Sequence, residues 1–178
     1  MKIAIICWGS LFWIPKNLEF LNNWYTDGPF LPIEFARKSR DGRLTLVIYP
    51  KIKEVQTLWA ISSNNNLNRA IFNLKKREGT IKDNIGYVNL LTGRNRTKYL
   101  DLVPNIIEWA QIKKLDAVIW TDLSYNFKNL TLKSLEEYLL SVDDEKTKLR
   151  IKEYISNLPK QVQTYYRKKL EDLINKIY

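Results

Sequence analysis

The 178-residue chain contains no histidine at all, a single cysteine, and no apolar run approaching the roughly 20 residues that a membrane span requires. Without histidine it cannot build a Ser-His-Asp or Cys-His nucleophile pair, an HExxH metalloprotease site or nearly any catalytic zinc centre, because each needs an imidazole as base or ligand. Acid and base chemistry must then come from a carboxylate, a lysine, a tyrosine or the cysteine. The lone Cys7 excludes an internal disulfide framework and a Cys-rich metal site, and fits a reducing compartment. The opening MKIAIICWGSLFWIP carries one basic residue and a short apolar run, with bulky Trp and Phe where a leader cleavage site would need small residues. The expectation is a cytoplasmic protein with no membrane association. The chain also lacks GxxxxGK[ST], GxGxxG, a CxxC pair and an EF-hand loop, so no nucleotide cradle, metal site or cofactor is expected.

What is present is 45% hydrophobic and 27% charged, the balance of one globular domain over 1–178 that can bury a sizeable core without staples. The net charge of +10 is unevenly spread. Between Arg69 and Lys98 eight basic residues face only Glu78 and Asp83, which puts +6 of the charge in that stretch. Such a patch permits anionic partners without demanding them.

The β-branched run 3–8 reads as a buried strand ended by Gly9-Ser10. Strands over 31–38 and 43–49, separated by Ser39-Arg40-Asp41-Gly42, form a hairpin, and 55–62 is expected as a third adjacent strand. The Asn64-Asn65-Asn66 turn supplies an N-cap for a helix over 67–78, with Leu67, Ala70, Ile71 and Leu74 on one buried face and Gly79 just past its end. A strand over 85–91, a helix over 99–114 interrupted near Pro104, and a short buried strand over 116–121 follow. From Thr131 the pattern turns helical, with helices expected over 131–141, 144–157 and 160–177, Pro159 separating the last two. The whole is an α+β fold, a core of about 1–122 carrying a helical extension of about 123–178.

Several groups are candidates for chemistry. A Gly-Ser turn at the end of a buried strand leaves backbone amides that the sheet does not use, able to hold a carboxylate or amide oxygen, although strand-ending turns are also common without any ligand. Ser10 has neither flanking glycines of a nucleophile elbow nor a base to activate it. Cys7, at the end of an apolar strand, fits a small core residue better than a nucleophile. Glu78 sits in the last turn of its helix, where the macrodipole disfavours negative charge and Lys75, Lys76 and Arg77 oppose that effect, so it reads either as a general base or as a solvated carboxylate. Arg37 is a cation that can meet a substrate carboxylate or lie in solvent. Tyr87 can supply a phenol or simply pack. Thr121 and Asp122 end a strand, where either binding groups or a turn are common. Thr164, Arg167 and Lys168 lie near one face of the last expected helix and read as solvated polarity.

Three pieces in order, CWGSLF, TLWAIS and LNRAIFNLKKREG, resemble the gamma-glutamylcyclotransferase-like family. Members carry a [FY]GS[NL]-type turn after the first strand, a VWG-like strand segment, and an acidic residue before glycine at a helix end. Trp8-Gly9-Ser10-Leu11, Leu58-Trp59-Ala60 and Glu78-Gly79 fill those places, and the resemblance covers roughly residues 1–91. It implies a small mixed β-barrel of five to six strands with flanking helices, to which the helical C-terminal segment is an addition. It also implies an enzyme that cyclises a gamma-glutamyl amine or peptide to 5-oxoproline and releases the amine, with no metal or cofactor. By resemblance Glu78 is the general acid and base, and the amides of Gly9, Ser10 and Leu11 hold the gamma-glutamyl group or its developing oxyanion. Trp8 stands where a hydroxyl-bearing aromatic is common and can serve only as a wall; Arg37, Tyr87 and Thr121 complete the substrate-binding candidates. Two other readings remain open: a non-catalytic module of the same fold that binds an acidic small molecule or a protein partner, and nucleic-acid binding through 69–98, against which stands the absence of any RNA or DNA motif.

Overall fold

A computed structural model describes every residue but Asn22. The first apolar run forms β1 (Ile3–Cys7), all five residues of which are buried. Such a run needs cover on both faces, and β1 accordingly lies inside a five-stranded sheet. Its neighbours are β6 (Leu58–Ile61), antiparallel, and β9 (Ala117–Thr121), parallel, with Ile5 opposite Ile119. β7 (Ile85–Asn89) pairs antiparallel with β9, and β8 (Arg94–Arg96) closes that edge.

Two smaller ladders stand beside this sheet. The expected hairpin forms from β3 (Ile33–Lys38) and β4 (Leu44–Ile48), with a bulge between Glu34 and Arg37. The third pairs β2 (Phe30–Leu31) with β5 (Val55–Gln56). The segment expected as one strand beside the hairpin therefore divides, its first part joining β2 and its second joining β1. Thr57 marks the break: its backbone N–H and hydroxyl both donate to Pro29 O. Among the described residues no ladder closes on itself, so the architecture is a mixed α+β sheet and two ribbons where a closed barrel was expected. β8 was not foreseen, since Arg94-Asn95-Arg96 carries no apolar alternation.

The helix α1 (Leu67–Glu78) begins and ends where its caps specify: Asn66 accepts from Arg69 N, and Gly79 adopts the left-handed conformation at φ 60°. α2 (Val103–Ile112) has Pro104 in its first turn, where proline costs no hydrogen bond, so the proline starts this helix instead of interrupting it. Both helices pack on β7 and β9.

The C-terminal segment contributes α3 (Leu132–Leu140), α4 (Glu145–Ser156) and α5 (Arg167–Ile177). The last helix starts later than its periodicity suggests. Arg167 is only 6% exposed and donates to the carbonyls of Leu158, Pro159 and Val162, while Tyr166 N donates to the buried Glu34 carboxylate. Those bonds hold 158–166 in a non-helical turn. Thr164 is also buried, donating its hydroxyl to Glu34, so Thr164 and Arg167 are internal fasteners and not the solvated face expected of them. One hydrophobic cluster runs from Ile3 and Phe35 to Leu139, Ile155 and Leu170, spanning the sheet, the hairpin and the C-terminal helices. No helix among the described residues is long and apolar enough to cross a membrane.

Candidate functional site

The end of β1, the β3–β4 hairpin, the end of α1 and the end of β9 converge on one cavity of about 380 Å3. Trp8, Gly9, Ser10, Leu11, Arg37, Glu78 and Thr121 all border it. Seven of the eight residues expected to serve catalysis or substrate binding thus share a single space. Tyr87 does not: it borders a second cavity with Leu67, Ile71, Arg94 and Arg96, and Arg96 lies 5.4 Å from its ring centroid. Position along the sheet is the reason: Ile85 pairs with Thr121 at the cavity, whereas Tyr87 pairs with Ile119 two residues further along, beside Leu67 and Ile71 of α1.

The 8–11 turn leaves β1 with its carbonyls engaged and its amides open. Phe12 N donates to Gly9 O and Ile14 N to Ser10 O, at 3.0 and 2.9 Å. The N–H groups of Gly9, Ser10 and Leu11 donate to no protein acceptor among the described residues. That is the arrangement expected of a Gly-Ser turn that has left the sheet.

Arg77 ties this turn to α1. Its Nη1 donates to Glu78 Oε1 at 2.6 Å, and its Nη2 donates to Ser10 Oγ at 3.2 Å and to Ile14 O. The Arg77 side chain is 5% exposed and that of Glu78 is 15% exposed. The ion pair leaves Glu78 Oε2 with no protein partner among the described residues. Helix α1 thus does two things for the site: its C-terminal turn presents Glu78 to the cavity, and the preceding residue fixes both the carboxylate and the turn.

Burial at the floor decides which groups stay protonated. Cys7 is wholly buried, and desolvation pushes its thiol up to about 12 against the downward pull of the Gly9 backbone, so at neutral pH it is a thiol and no nucleophile. Thr121 borders the cavity, and its Oγ1 is buried with no hydrogen-bond partner among the described residues. Asp122 instead is structural: it accepts from Lys98 N and from the Trp120 indole.

The hairpin wall is basic. Asp41 pairs with Arg43 at 2.9 Å, whereas Arg37 and Arg40 have no carboxylate partner among the described residues. Arg37 donates to Ser124 O, and burial, followed by the charge of Arg40, lowers its proton affinity from the ordinary value. Two unneutralised guanidinium groups favour an anionic occupant. Among the described residues no three His, Cys, Asp or Glu side chains gather as a metal site would require.

The chain matches no protein-family model, no curated protein and no solved structure. The site therefore rests on its own geometry.

Sequence reasoning missed Tyr154. It reaches the cavity from α4, is 5% exposed, and its hydroxyl accepts from Leu46 N at 3.2 Å while the Trp8 indole donates to Leu46 O at 3.2 Å. Nothing local marks it, because a tyrosine on the buried stripe of an amphipathic helix looks like any core residue. The basic stretch from Arg69 to Lys98 is not one surface: Arg77 turns inward to Ser10 and Glu78, and Arg96 donates to the carbonyls of Lys82 and Ile85.

Proposed function

We propose that this protein is a gamma-glutamylcyclotransferase-like enzyme that cyclises a gamma-glutamyl amine or peptide to 5-oxoproline and releases the amine. The observation that carries the reading is the single cavity bordered both by Glu78 and by the open amides of the 9–11 turn. Sheet and hairpin are read as the two walls of a small barrel left open along the cavity.

In this reading the Glu78 carboxylate takes a proton from the substrate's α-ammonium. The freed nitrogen attacks the γ-carbonyl carbon of the same molecule, a five-membered closure in which proximity supplies much of the rate. Charge that builds on the carbonyl oxygen meets the N–H groups of Gly9, Ser10 and Leu11. As the γ-carbonyl carbon to leaving-nitrogen bond breaks, protonated Glu78 gives its proton to the departing nitrogen; the regenerated carboxylate then relays the second proton of the ring nitrogen to the released amine, which leaves as its ammonium beside the neutral lactam. Arg37 meets the substrate's α-carboxylate, Thr121 donates or accepts beside it, and Trp8 forms a wall.

The test is 5-oxoproline release from a panel of gamma-glutamyl amines, amino acids and peptides by the native protein and by Glu78→Gln, which keeps the shape but is no base. Turnover is expected in the native protein and a loss of about 100-fold or more in the variant, the usual scale of general acid and base catalysis. Equal turnover would assign the chemistry to another residue.

A second reading has one observation in its favour: Glu78 Oε1 is already bound by Arg77, as in a purely structural ion pair. A non-catalytic module that binds an acidic small molecule in the same cavity would keep its affinity in Glu78→Gln and release no 5-oxoproline.

A further inference from the structure

Three sets of donors without a protein acceptor belong to residues that border this cavity. The amides of residues 9–11 have no protein acceptor among the described residues, and the Thr121 hydroxyl is buried without a partner. The third is the Tyr154 phenol. Its oxygen accepts from Leu46 N, but no acceptor among the described residues takes its proton. A Cβ built on Gly9 would stand 2.7 Å from the Tyr154 hydroxyl oxygen, which fixes that hydroxyl directly above the turn. Buried polar groups are nearly always paired, so the Tyr154 hydroxyl and the neighbouring turn amides, with no acceptor, ask for a ligand oxygen.

The hydroxyl is held there before any ligand arrives. The backbone of Leu46 bonds both aromatic residues, donating its N–H to Tyr154 and accepting from the Trp8 indole. Trp13 packs edge-on against the Tyr154 ring at 5.4 Å. Trp8 spends its only polar side-chain group on Leu46 and offers no hydroxyl to the cavity, whereas Tyr154 carries one.

The geometry points to Tyr154 as a hydrogen-bond donor to a carbonyl or carboxylate oxygen of the ligand bound over Gly9, so that the helical C-terminal segment completes the site. The inference rests on reading this cavity as the gamma-glutamyl site. Burial pushes the phenol's proton affinity well up, with the charges of Glu78 and Cys7 adding to the effect, so Tyr154 remains a donor throughout the neutral and mildly alkaline range.

The probe is 5-oxoproline, which carries a carboxylate and a lactam carbonyl, titrated calorimetrically into the native protein, Tyr154→Phe, and protein bearing 3-fluorotyrosine at position 154. Phenylalanine keeps the ring and loses only the hydroxyl; the fluorinated ring keeps the hydroxyl. The expected result is a Kd raised about tenfold or more in Tyr154→Phe, the loss of one hydrogen bond to a charged acceptor, and near-native affinity with 3-fluorotyrosine. Unchanged affinity in Tyr154→Phe overturns the assignment. So does a weakened affinity that 3-fluorotyrosine does not restore, since the effect would then lie in packing; melting curves of all three proteins accompany the titrations. A native protein that binds 5-oxoproline but never forms it defeats the cyclotransferase reading and leaves Tyr154 to be judged by the Phe ratio. A native protein that neither binds nor forms it overturns both.

Discussion

Gly9 does not need its backbone freedom, since it lies outside the positive-φ region, but it does need to lack a Cβ. A methyl group there would meet the Tyr154 hydroxyl at 2.7 Å, too close for a methyl carbon and an oxygen without movement. The sequence offered Gly9 as part of a turn with open amides; what it hid was the partner, 145 positions away on a helix (Tyr154 against Gly9). Gly9→Ala is expected to cost about 1–3 kcal/mol of stability, as overpacked sites do, and to lower any turnover. In the Tyr154→Phe background the same substitution has no hydroxyl to displace, so the loss in melting temperature should shrink. Thermal unfolding of the four proteins in this cycle measures it, and an equal loss in both backgrounds would contradict the contact. Thr121 and Glu78 were legible as candidates because strand ends and helix ends advertise themselves, whereas Arg77, which bridges Glu78 to the turn, was read only as a C-terminal cation.

Helix α1 is the element on which the site depends, and it is the one that local chemistry specifies most completely. Its apolar period, the Asn66 cap and the left-handed Gly79 all give the same boundaries, Leu67 to Glu78. Because the boundary at its end sets where Glu78 points, weakening the helix should loosen the site. Asn66→Ala removes the side-chain acceptor for Arg69 N and is expected to cost about 1 kcal/mol, read from chemical denaturation midpoints; a change below a few tenths would mean that the cap bond contributes nothing. Elements with weaker local signals were misjudged. The 55–62 run carries strand propensity throughout, yet Thr57 divides it between two ladders. The α5 period extends back to residue 160, yet Glu34 and Arg167 claim the backbone groups of 158–166 first.

At the scale of the whole molecule, Glu34 joins the hairpin to the C-terminal segment. It is fully buried, accepts from Phe35 N, Thr164 Oγ1 and Tyr166 N at 2.9, 2.8 and 3.1 Å, and forms no salt bridge among the described residues. Burial raises its pKa above the ordinary 4.5, outweighing those hydrogen bonds. For a carboxyl raised in this way the folded state binds the proton more tightly than the unfolded chain. This contribution to stability is present in full below about 4.5 and is lost as pH rises through the raised value. Melting temperatures measured upward from pH 4.5 should therefore carry a downward component that Glu34→Gln abolishes. A variant with the native pH profile would show that Glu34 does not titrate in this window. The same clamp holds the segment that follows α4, and the extension that sequence reading set apart from the core contributes Tyr154 to the cavity.

Local patterns determined the α+β content, the hairpin, and α1 with its caps, and marked seven of the residues that line the cavity, because period, turn chemistry and capping act over a few neighbouring positions. Tertiary structure alone decided that the ladders stay open, that Tyr87 borders a different cavity, that Arg77 bridges Glu78 to Ser10, and that Tyr154 stands over Gly9. These are pairings between groups far apart in the chain. Their energies depend on burial and on which buried donor finds which acceptor, and no window of sequence contains both partners.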